Sequence, residues 1–295
     1  MNKLTQQQPK IILYYKFIPV SDPSMTMRWQ RELCLRLELK GRIIVSEQGI
    51  NGTLGGGIEN LREYKREMNR SVIFKNIMYK WSDGTGVDFP KLSIKVKDEL
   101  VAFKAKDEIT VTERGVENGG VHLKPEQIHE LISQRGDEVI FFDGRNSYEA
   151  QVGKFKDTII PAVETTPDFL RELEDPKYDS IKDRPIIIYC TGGVRCEILS
   201  VLMKNRGFRE VYQIDGGIVK YGEKYGDDGL WEGTLYVFDG RMSHTFSSNT
   251  KTIGTCVHCK GKTSRFINCA DVSCNKLQLV CDECQRKTFC PDHQP

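Results

Sequence analysis

The sequence lacks long apolar runs. No stretch of about 18 apolar residues occurs, so the chain is not expected to cross a membrane. Its first residues, MNKLTQQQPK, have no apolar core of the kind that a secretory signal carries, and the expected location is therefore cytoplasmic. The net charge is also small, at +2, which argues against attraction of nucleic acid by the molecule as a whole. Any contact with nucleic acid must come from a local basic surface.

Histidine is scarce, with five residues in the chain. These histidines show no pattern typical of a site with two histidines and one carboxylate, so the sequence does not indicate an oxygen-activating metal. Cysteine is more informative, because seven of the ten cysteines lie between Cys256 and Cys290. In a reducing compartment this clustering indicates metal ligands and argues against a disulfide framework.

A chain of 295 residues is long enough for two or three folding units. Residues 1–106 are predicted to form the first. Its predicted elements, in chain order, are a strand over 10–20, a helix over 27–40, two strands over 41–56, a helix over 58–70 and a strand or strand pair over 91–103. This order is typical of a ferredoxin-like or acylphosphatase-like α+β unit. Residues 107–124 are predicted to be a linker, since they contain the turn-forming run RGVENGG.

Residues 125–228 are predicted to form an α/β domain with a parallel sheet, because buried strand patterns alternate with helical ones. The predicted strands are VIFFD, PIIIYC and EVYQIDGG, and the predicted helices lie over 124–136, 168–175, 197–207 and 218–226. Residues 229–295, the C-terminal Cys-rich segment, are predicted to form a third part.

The segment YCTGGVRCEI, residues 189–198, combines a cysteine, two glycines and an arginine. Cys190 ends a predicted buried strand just before a predicted helix, which is where parallel sheets bind ligands. The following amides can turn inward as a cradle for an anion, and the residues of this cradle are Thr191, Gly192, Gly193 and Val194. The helix dipole and Arg195 both favour a thiolate, so we expect the pKa of Cys190 to be lowered and its sulfur to be nucleophilic.

These residues resemble a known family. CTGGVR is similar to the active-site loop of rhodanese domains, in which a cysteine carries a persulfide, and DGRNSYEAQVGKF resembles another motif of the same domains. Lys154 stands where many rhodaneses have histidine. Dual-specificity phosphatases place five residues between cysteine and arginine, whereas four separate Cys190 from Arg195, and this smaller loop is typical of the sulfur-handling class.

The resemblance extends over nearly the whole chain. The hairpin SEQGINGT, the loop CTGGVRCE and the cysteine-rich C-terminal part together resemble the oxygen-dependent tRNA uridine(34) hydroxylase family. The resemblance implies conversion of the wobble uridine to 5-hydroxyuridine, with a tRNA anticodon loop as partner and molecular oxygen as co-substrate. It also implies that Cys190 is the nucleophilic or persulfide-carrying residue and that Arg195 supports its charge. Cys196 is either a resolving thiol or a small packed residue.

The C-terminal Cys-rich segment offers four pairs of candidate metal ligands, namely Cys256 with Cys259, Cys269 with Cys274, Cys281 with Cys284, and Cys290 with His293. Two CxxC pairs predict zinc, because tetrahedral zinc needs four ligands and each tight turn supplies two thiolates. Four pairs allow two sites, either interleaved or sequential. Residues 254–295 include few apolar residues, so we expect the metal to supply the folding energy of this part. The alternative is that these thiols are reduced and bind no metal.

Residues 60–106 contain eleven lysines and arginines against six acidic residues. These basic residues, Lys80 among them, are candidates for contacts with RNA phosphates, and Lys65, Arg66 and Lys97 are singled out. The interleaved aromatic residues are candidates for stacking on bases, namely Tyr64, Phe74, Tyr79, Trp81 and Phe89. The alternative is an ordinary solvated face over core aromatic residues. INGT, residues 50–53, is predicted either to contact RNA through a glycine turn or to be a plain hairpin.

Two other functions fit the same motifs. A sulfurtransferase would pass a persulfide from Cys190 to cyanide, a thiol or a carrier protein. A module without catalysis would use its zinc-binding part to hold a protein partner. Thiosulfate turnover without RNA favours the first of these alternatives, and intact function after Cys190→Ser favours the second.

Overall fold

The computed structural model describes residues 8–293 and contains two compact units. The first unit comprises the described residues up to Gly120 and, in addition, Val194–Gly207. The second unit comprises Val121–Gly193 and the described residues from Phe208 onward. Within residues 8–293, no helix is both long enough and apolar enough to cross a membrane.

The first unit is built on a five-stranded sheet with the order β4-β1-β3-β2-β5. Its elements are β1 (Pro9–Phe17), α1 (Pro23–Arg36), β2 (Lys40–Ser46), β3 (Gly49–Gly57), α2 (Ile58–Arg70), β4 (Tyr79–Asp83) and β5 (Leu92–Val96). Strand β3 pairs antiparallel with β1 and β2, β4 pairs antiparallel with β1, and β5 lies parallel to β2. This arrangement confirms the ferredoxin-like, acylphosphatase-like unit that the sequence predicts.

Helices α1 and α2 cover one face of this sheet. The side chain of Asp22 caps α1 by accepting a hydrogen bond from the backbone N–H of Met25 at 2.8 Å, and Pro23 suits the first turn. In α2, Leu61, Tyr64 and Met68 repeat at helical spacing and are fully buried. They pack with the inward-facing residues of the strands into one apolar core.

Two features of the first unit differ from the sequence-based expectation. Strand β4 lies between the predicted helix over 58–70 and the predicted strand over 91–103, in a stretch where the sequence predicts a loop. It has only five residues. The chain before it turns at Asn76, which adopts a positive φ of 61°. INGT is not a turn, since it lies within β3 and the β2–β3 turn is at Glu47 and Gln48. Gly52 is needed there because a Cβ would come within 2.4 Å of the Tyr14 ring.

The predicted linker contains short structured elements. These are a small hairpin of β6 (Val111–Thr112) and β7 (Gly115–Val116), followed by β8 (Val121–Leu123). Strand β8 belongs to the sheet of the second unit. A strand of three residues surrounded by polar side chains gives too weak a periodic pattern to be recognised from sequence.

The second unit contains a four-stranded parallel sheet with the order β8-β12-β11-β9. Between β8 and the C-terminal Cys-rich segment the chain forms α3 (Pro125–Arg135), β9 (Ile140–Asp143), α4 (Ser147–Ala150), β10 (Gly153–Phe155), α5 (Phe169–Glu172), β11 (Pro185–Tyr189), α6 (Val194–Asn205), β12 (Glu210–Ile214) and α7 (Gly217–Tyr225). Of these, α6 is grouped with the first unit. The predicted parallel α/β sheet is confirmed.

The C-terminal Cys-rich segment has only short strands. They are β13 (Trp231–Gly233), β14 (Leu235–Tyr236), β15 (Ser243–His244), β16 (Phe266–Asn268) and β17 (Leu277–Leu279). Strand β13 pairs with β10, β14 with β15, and β16 with β17. A small apolar cluster of Val152, Tyr236, Phe266 and Leu279 packs here.

Candidate functional site

Cys190 lies directly after β11, whose five residues are all buried, and is itself 1% exposed. The backbone N–H of Gly193 donates to the Sγ of Cys190 at 3.2 Å. Gly193 has a φ of 100°, a conformation that favours glycine. Residues 190–193, called the Cys190 loop below, therefore turn back so that a backbone donor points at the sulfur, as the predicted anion cradle requires.

The turn between β12 and α7 fixes the shape of the Cys190 loop. The N–H groups of Ile218 and Val219 donate to the carbonyl oxygens of Cys190 and Thr191 at 3.0 and 3.1 Å. Gly217 has a φ of 68°, and a Cβ at this position would come within 2.5 Å of the Cys190 carbonyl oxygen. No role is predicted for Gly217 from the sequence, although two consecutive glycines at the end of a predicted strand are a signal for such a turn.

A buried ion pair supports the strand that ends at the Cys190 loop. The guanidinium of Arg145, which is fully buried, donates to both carboxylate oxygens of Asp143 at 2.8 and 2.6 Å. The hydroxyl of Tyr189 donates to the same carboxylate at 3.0 Å. Burial lowers the pKa of Arg145, but the attraction of Asp143 outweighs it, so the pKa is raised and the group stays charged. The motif DGRNSYEAQVGKF thus supplies a structural clamp, a role that the motif alone did not reveal.

Helix α6 begins at Val194, the residue that follows the Cys190 loop. Arg195 and Cys196 lie in its first turn, and both are buried, with 8% and 0% of their surface exposed. The helix therefore starts three residues before the predicted bound at 197 and follows the Cys190 loop directly. The roles of Arg195 and Cys196 stay predictions.

The predicted metal ligands form two clusters in the second unit. The first contains Cys256, Cys259, Cys281 and Cys284, and the second contains Cys269, Cys274, Cys290 and His293. Within each cluster the donor atoms all lie within 4.8 Å of one another. The clusters are interleaved along the chain, so the sequential alternative is wrong.

The clusters have the spacing that a tetrahedral metal ion needs. With metal–sulfur bonds of about 2.3 Å, sulfur atoms at tetrahedral corners are about 3.8 Å apart. The Sγ atoms of Cys259 and Cys281 are 3.4 Å apart, and those of Cys274 and Cys290 are 3.8 Å apart. The Nδ1 of His293 lies 3.1 Å from the Sγ of Cys290. Four cysteines in one cluster and three cysteines with one histidine in the other fit such an ion.

Backbone N–H donors lower the pKa values of these thiols, and burial raises them. Burial raises the pKa of Cys256, but backbone N–H groups, including that of Cys259, outweigh it and lower the pKa to about 6. For Cys284, burial and neighbouring thiols raise the pKa to about 12. A bound cation would favour the thiolate form of all four cysteines, because it would balance their charge.

The three predicted RNA-binding residues, Lys65, Arg66 and Lys97, are all exposed. Arg66 is hydrogen-bonded to Glu63 through its Nε at 2.6 Å, and Lys97 follows β5 at the sheet edge. Among the other predicted contacts, Lys80 is only 3% exposed. Most of the interleaved aromatic residues are also buried, namely Tyr64, Phe74, Tyr79 and Phe89. Those four belong to the core, and their predicted stacking on bases is wrong for this structure.

A cysteine at the end of a parallel strand, a backbone donor on its sulfur and a helix directly behind it define a rhodanese-like protein. Family models match accordingly: a rhodanese-like domain over residues 124–224, an acylphosphatase-like domain named UPF0176 over 9–100, and a rhodanese C-terminal segment over 232–293. The rhodanese-like class is thus supported by the Cys190 loop and by these matches together.

Curated relatives cover almost the whole chain. A tRNA uridine(34) hydroxylase of Corynebacterium jeikeium is 57% identical over 277 residues, which are 94% of this chain and 90% of the relative. A protein of the same name from Corynebacterium kroppenstedtii is 54% identical over 290 residues, which are 97% of this chain and 98% of the relative. The chain belongs to the tRNA uridine(34) hydroxylase family.

Proposed function

We propose that this protein hydroxylates uridine 34 of tRNA, converting the wobble base to 5-hydroxyuridine with molecular oxygen as co-substrate. The observation that carries the proposal is the family membership over more than nine-tenths of the chain. The structure adds a cysteine loop with a directed backbone donor and two four-ligand clusters. The cysteine loop is the proposed site of the reaction, and the two clusters are proposed to stabilise the fold.

Cys190 is the proposed catalytic residue, with Arg195 and the N-terminus of α6 favouring its thiolate. In the first route the thiolate adds to C6 of the base, and C5 then attacks a hydroperoxide formed from O2, whose O–O bond breaks and whose other oxygen leaves as an alcohol or water. Loss of the C5 proton expels the Cys190 thiolate from C6. In the second route a persulfide on Cys190 supplies the two electrons: one oxygen atom of O2 passes to C5 and the other stays on the outer sulfur of the persulfide. A covalent tRNA adduct at Cys190 would support the first route, and sulfane sulfur released from Cys190 by cyanide would support the second.

The proposed RNA contacts are Lys65, Arg66 and Lys97, which would hold the phosphates of the anticodon loop without reading its sequence. The ion pair of Arg66 with Glu63 does not prevent this, because an exposed pair of this kind contributes only about 0–1 kcal/mol and can be exchanged for a phosphate contact. Selection of uridine requires the base to leave its stack and enter a pocket close to Gly192 and Gly193.

Zinc is the proposed metal of both four-ligand clusters. Thiolate and imidazole donors in closed four-ligand sets are typical of structural zinc sites, which leave no open position for chemistry. Each ion would join two distant parts of the C-terminal Cys-rich segment, where the described residues around the ligands pack into small apolar clusters. The proposed role of zinc is therefore to fold this segment.

The test is a comparison of tRNA from three strains: one with the intact gene, one lacking it, and one carrying Cys190→Ser as the only copy. Mass spectrometry of nucleosides should find 5-hydroxyuridine at position 34 in the first strain and its loss in the other two. An unchanged level of the modified base in the Cys190→Ser strain would show that the catalytic assignment is wrong.

A sulfurtransferase is the second candidate, favoured by the match of residues 124–224 to the rhodanese-like domain. Its chemistry also needs Cys190, as a persulfide carrier. Turnover of thiosulfate and cyanide by purified protein without RNA, at a rate that tRNA does not change, would favour this candidate.

A further inference from the structure

Tyr15 of β1 makes a long-range hydrogen bond to α6. Its hydroxyl donates to the Oε1 of Glu197 at 2.9 Å, across 182 positions of sequence. Both residues belong to the first unit. The neighbouring Tyr14 is in the core beneath α1 and α2, and side chains alternate along a strand, so Tyr15 points from the opposite face of the sheet. This face therefore carries a specific polar contact to the helix that follows the Cys190 loop.

Lys80 of β4 lies against the ring of Tyr15. Its Nζ is 4.7 Å from the centre of the ring, and the residue is only 3% exposed. Lysine is rarely buried to this extent, and a cation over an aromatic face gains an attraction that strengthens when water is excluded. Lys80 thus restrains the orientation of Tyr15 and, with it, the direction of the hydroxyl.

Glu197 sits in the first turn of α6, close along the chain to the Cys190 loop. At the far end of the helix, Lys204 donates to the carbonyl oxygen of Gly119 at 2.9 Å, and Arg206 is paired with Glu108 at 3.0 Å. Residues from elsewhere in the first unit therefore hold α6 at both ends. The Tyr15 contact lies at the N-terminal end of α6, which continues directly from Gly193.

We propose that Tyr15 is a positioning residue for Cys190. Its bond to Glu197 fixes the first turn of α6 and thereby the place of the Gly193 amide on the Cys190 sulfur, while Lys80 orients the Tyr15 ring. The inference rests on the proposed function, in which Cys190 reacts as a thiolate. It does not require Tyr15 to touch tRNA or the reacting base.

A double-mutant cycle tests this role. The variants are Tyr15→Phe, Glu197→Leu and the two combined, and the readout is the rate of Cys190 alkylation by iodoacetamide across pH, followed by mass spectrometry of the peptide. Each single variant should slow alkylation about 3- to 10-fold, the range expected for one hydrogen bond. The double variant should be no slower than the singles, because both remove the same contact.

Two further variants separate positioning from general stability. Glu197→Gln keeps an oxygen that accepts from Tyr15, so its alkylation rate should stay within about twofold of the unaltered protein. Tyr178→Phe removes a comparable bond, in which the Tyr178 hydroxyl donates to Glu172 at 2.7 Å, and should leave Cys190 alkylation unchanged. Equal slowing by Tyr178→Phe would assign the Tyr15 effect to stability and overturn the inference.

Hydroxylation of tRNA supplies the last readout. Tyr15→Phe should lower kcat and leave KM for tRNA unchanged, whereas a raised KM with unchanged kcat would make Tyr15 an RNA contact and overturn the inference. Additive effects in the cycle would also overturn it. If Cys190 is alkylated no faster than Cys34 in the unaltered protein, both the proposed function and the inference are contradicted. If Cys190 is alkylated fast and Tyr15→Phe leaves that rate unchanged, the inference alone is contradicted.

Discussion

Two cysteines of this chain, both buried, lie in very different surroundings. Cys34 lies in α1 within the core of the first unit, and burial raises its pKa to about 12. Cys190 receives the Gly193 N–H on its sulfur and is followed by the N-terminus of α6. Burial opposes a thiolate in both cases, and the N–H that points at the Cys190 sulfur is the kind of donor that favours one.

The two thiols should therefore differ in alkylation. Cys34 should stay a thiol, and react slowly, at every pH below its raised pKa, whereas Cys190 should react faster and from a lower pH upward. Arg195→Ala should slow Cys190, because it removes a positive charge that favours the thiolate. Quantitative mass spectrometry of the two cysteine peptides after iodoacetamide treatment measures both rates, and equal rates with ordinary thiol pH profiles would refute this expectation.

Asp143 and Asp183 each form an ion pair with an arginine, one buried and one exposed, so their substitution compares the two kinds of pair in their effect on stability. Asp143→Asn leaves the fully buried Arg145 without its carboxylate and should cost about 3–5 kcal/mol in the free energy of unfolding. Asp183→Asn breaks an ion pair with Arg209 in which both side chains are more than two-thirds exposed, and should cost at most about 1 kcal/mol. Urea unfolding measures both, and similar losses would contradict the assigned importance of the Asp143 clamp.

At the scale of elements, the turn that leads into α7 governs the Cys190 loop. Gly217→Ala would place a Cβ within 2.5 Å of the Cys190 carbonyl oxygen, so the loop must shift, and Cys190 alkylation and tRNA hydroxylation should both fall at least tenfold. Gly226→Ala is the control, since Gly226 also has a positive φ, 53°, but a Cβ there meets nothing within 4 Å. Normal alkylation in Gly217→Ala would show that the loop does not depend on this turn.

The C-terminal Cys-rich segment gives a test of ligand pairing. Purified protein should contain two zinc ions per chain, and a chelator should remove them and unfold residues 254–293. Cys256→Ser with Cys281→Ser should lose one ion, because both ligands belong to one cluster, whereas Cys256→Ser with Cys269→Ser should lose both. Metal analysis of reduced, anaerobically prepared protein measures this, and the absence of zinc from the unaltered protein would reject the proposal.

These elements also show what sequence can reveal. The strand before Cys190 and the CxxC pairs were recognised because their signals are local: a buried run in one case and a fixed spacing in the other. The interleaved pairing and the approach of Gly217 to Cys190 depend on segments that meet only in the folded chain. Strand β4 was missed because Tyr79 and Trp81, its core-facing residues, are too few to form a pattern.

At the scale of the whole molecule, a net charge of +2 makes any attraction of tRNA a local property. Affinity for tRNA should fall steeply between low and physiological salt if phosphate contacts dominate. Lys65→Glu with Arg66→Glu should weaken binding and flatten the salt dependence, while Cys190 alkylation stays unchanged. Lys224→Glu, an exposed change in the second unit, is the control. If the Lys65→Glu, Arg66→Glu double variant binds tRNA as tightly as the unaltered protein, these two residues do not contact tRNA and belong to an ordinary solvated surface.

The placement of α6 limits how this protein can be divided. By sequence the helix falls inside the region that matches the rhodanese-like domain, yet by its contacts it belongs to the first unit. A fragment cut at the limits of that match would carry α6 away from the side chains of Tyr15 and Glu108 and the carbonyl oxygen of Gly119, which hold it. The rhodanese-like region and the first unit therefore cannot be exchanged separately between relatives. Their sequences are expected to have changed together as the family diverged.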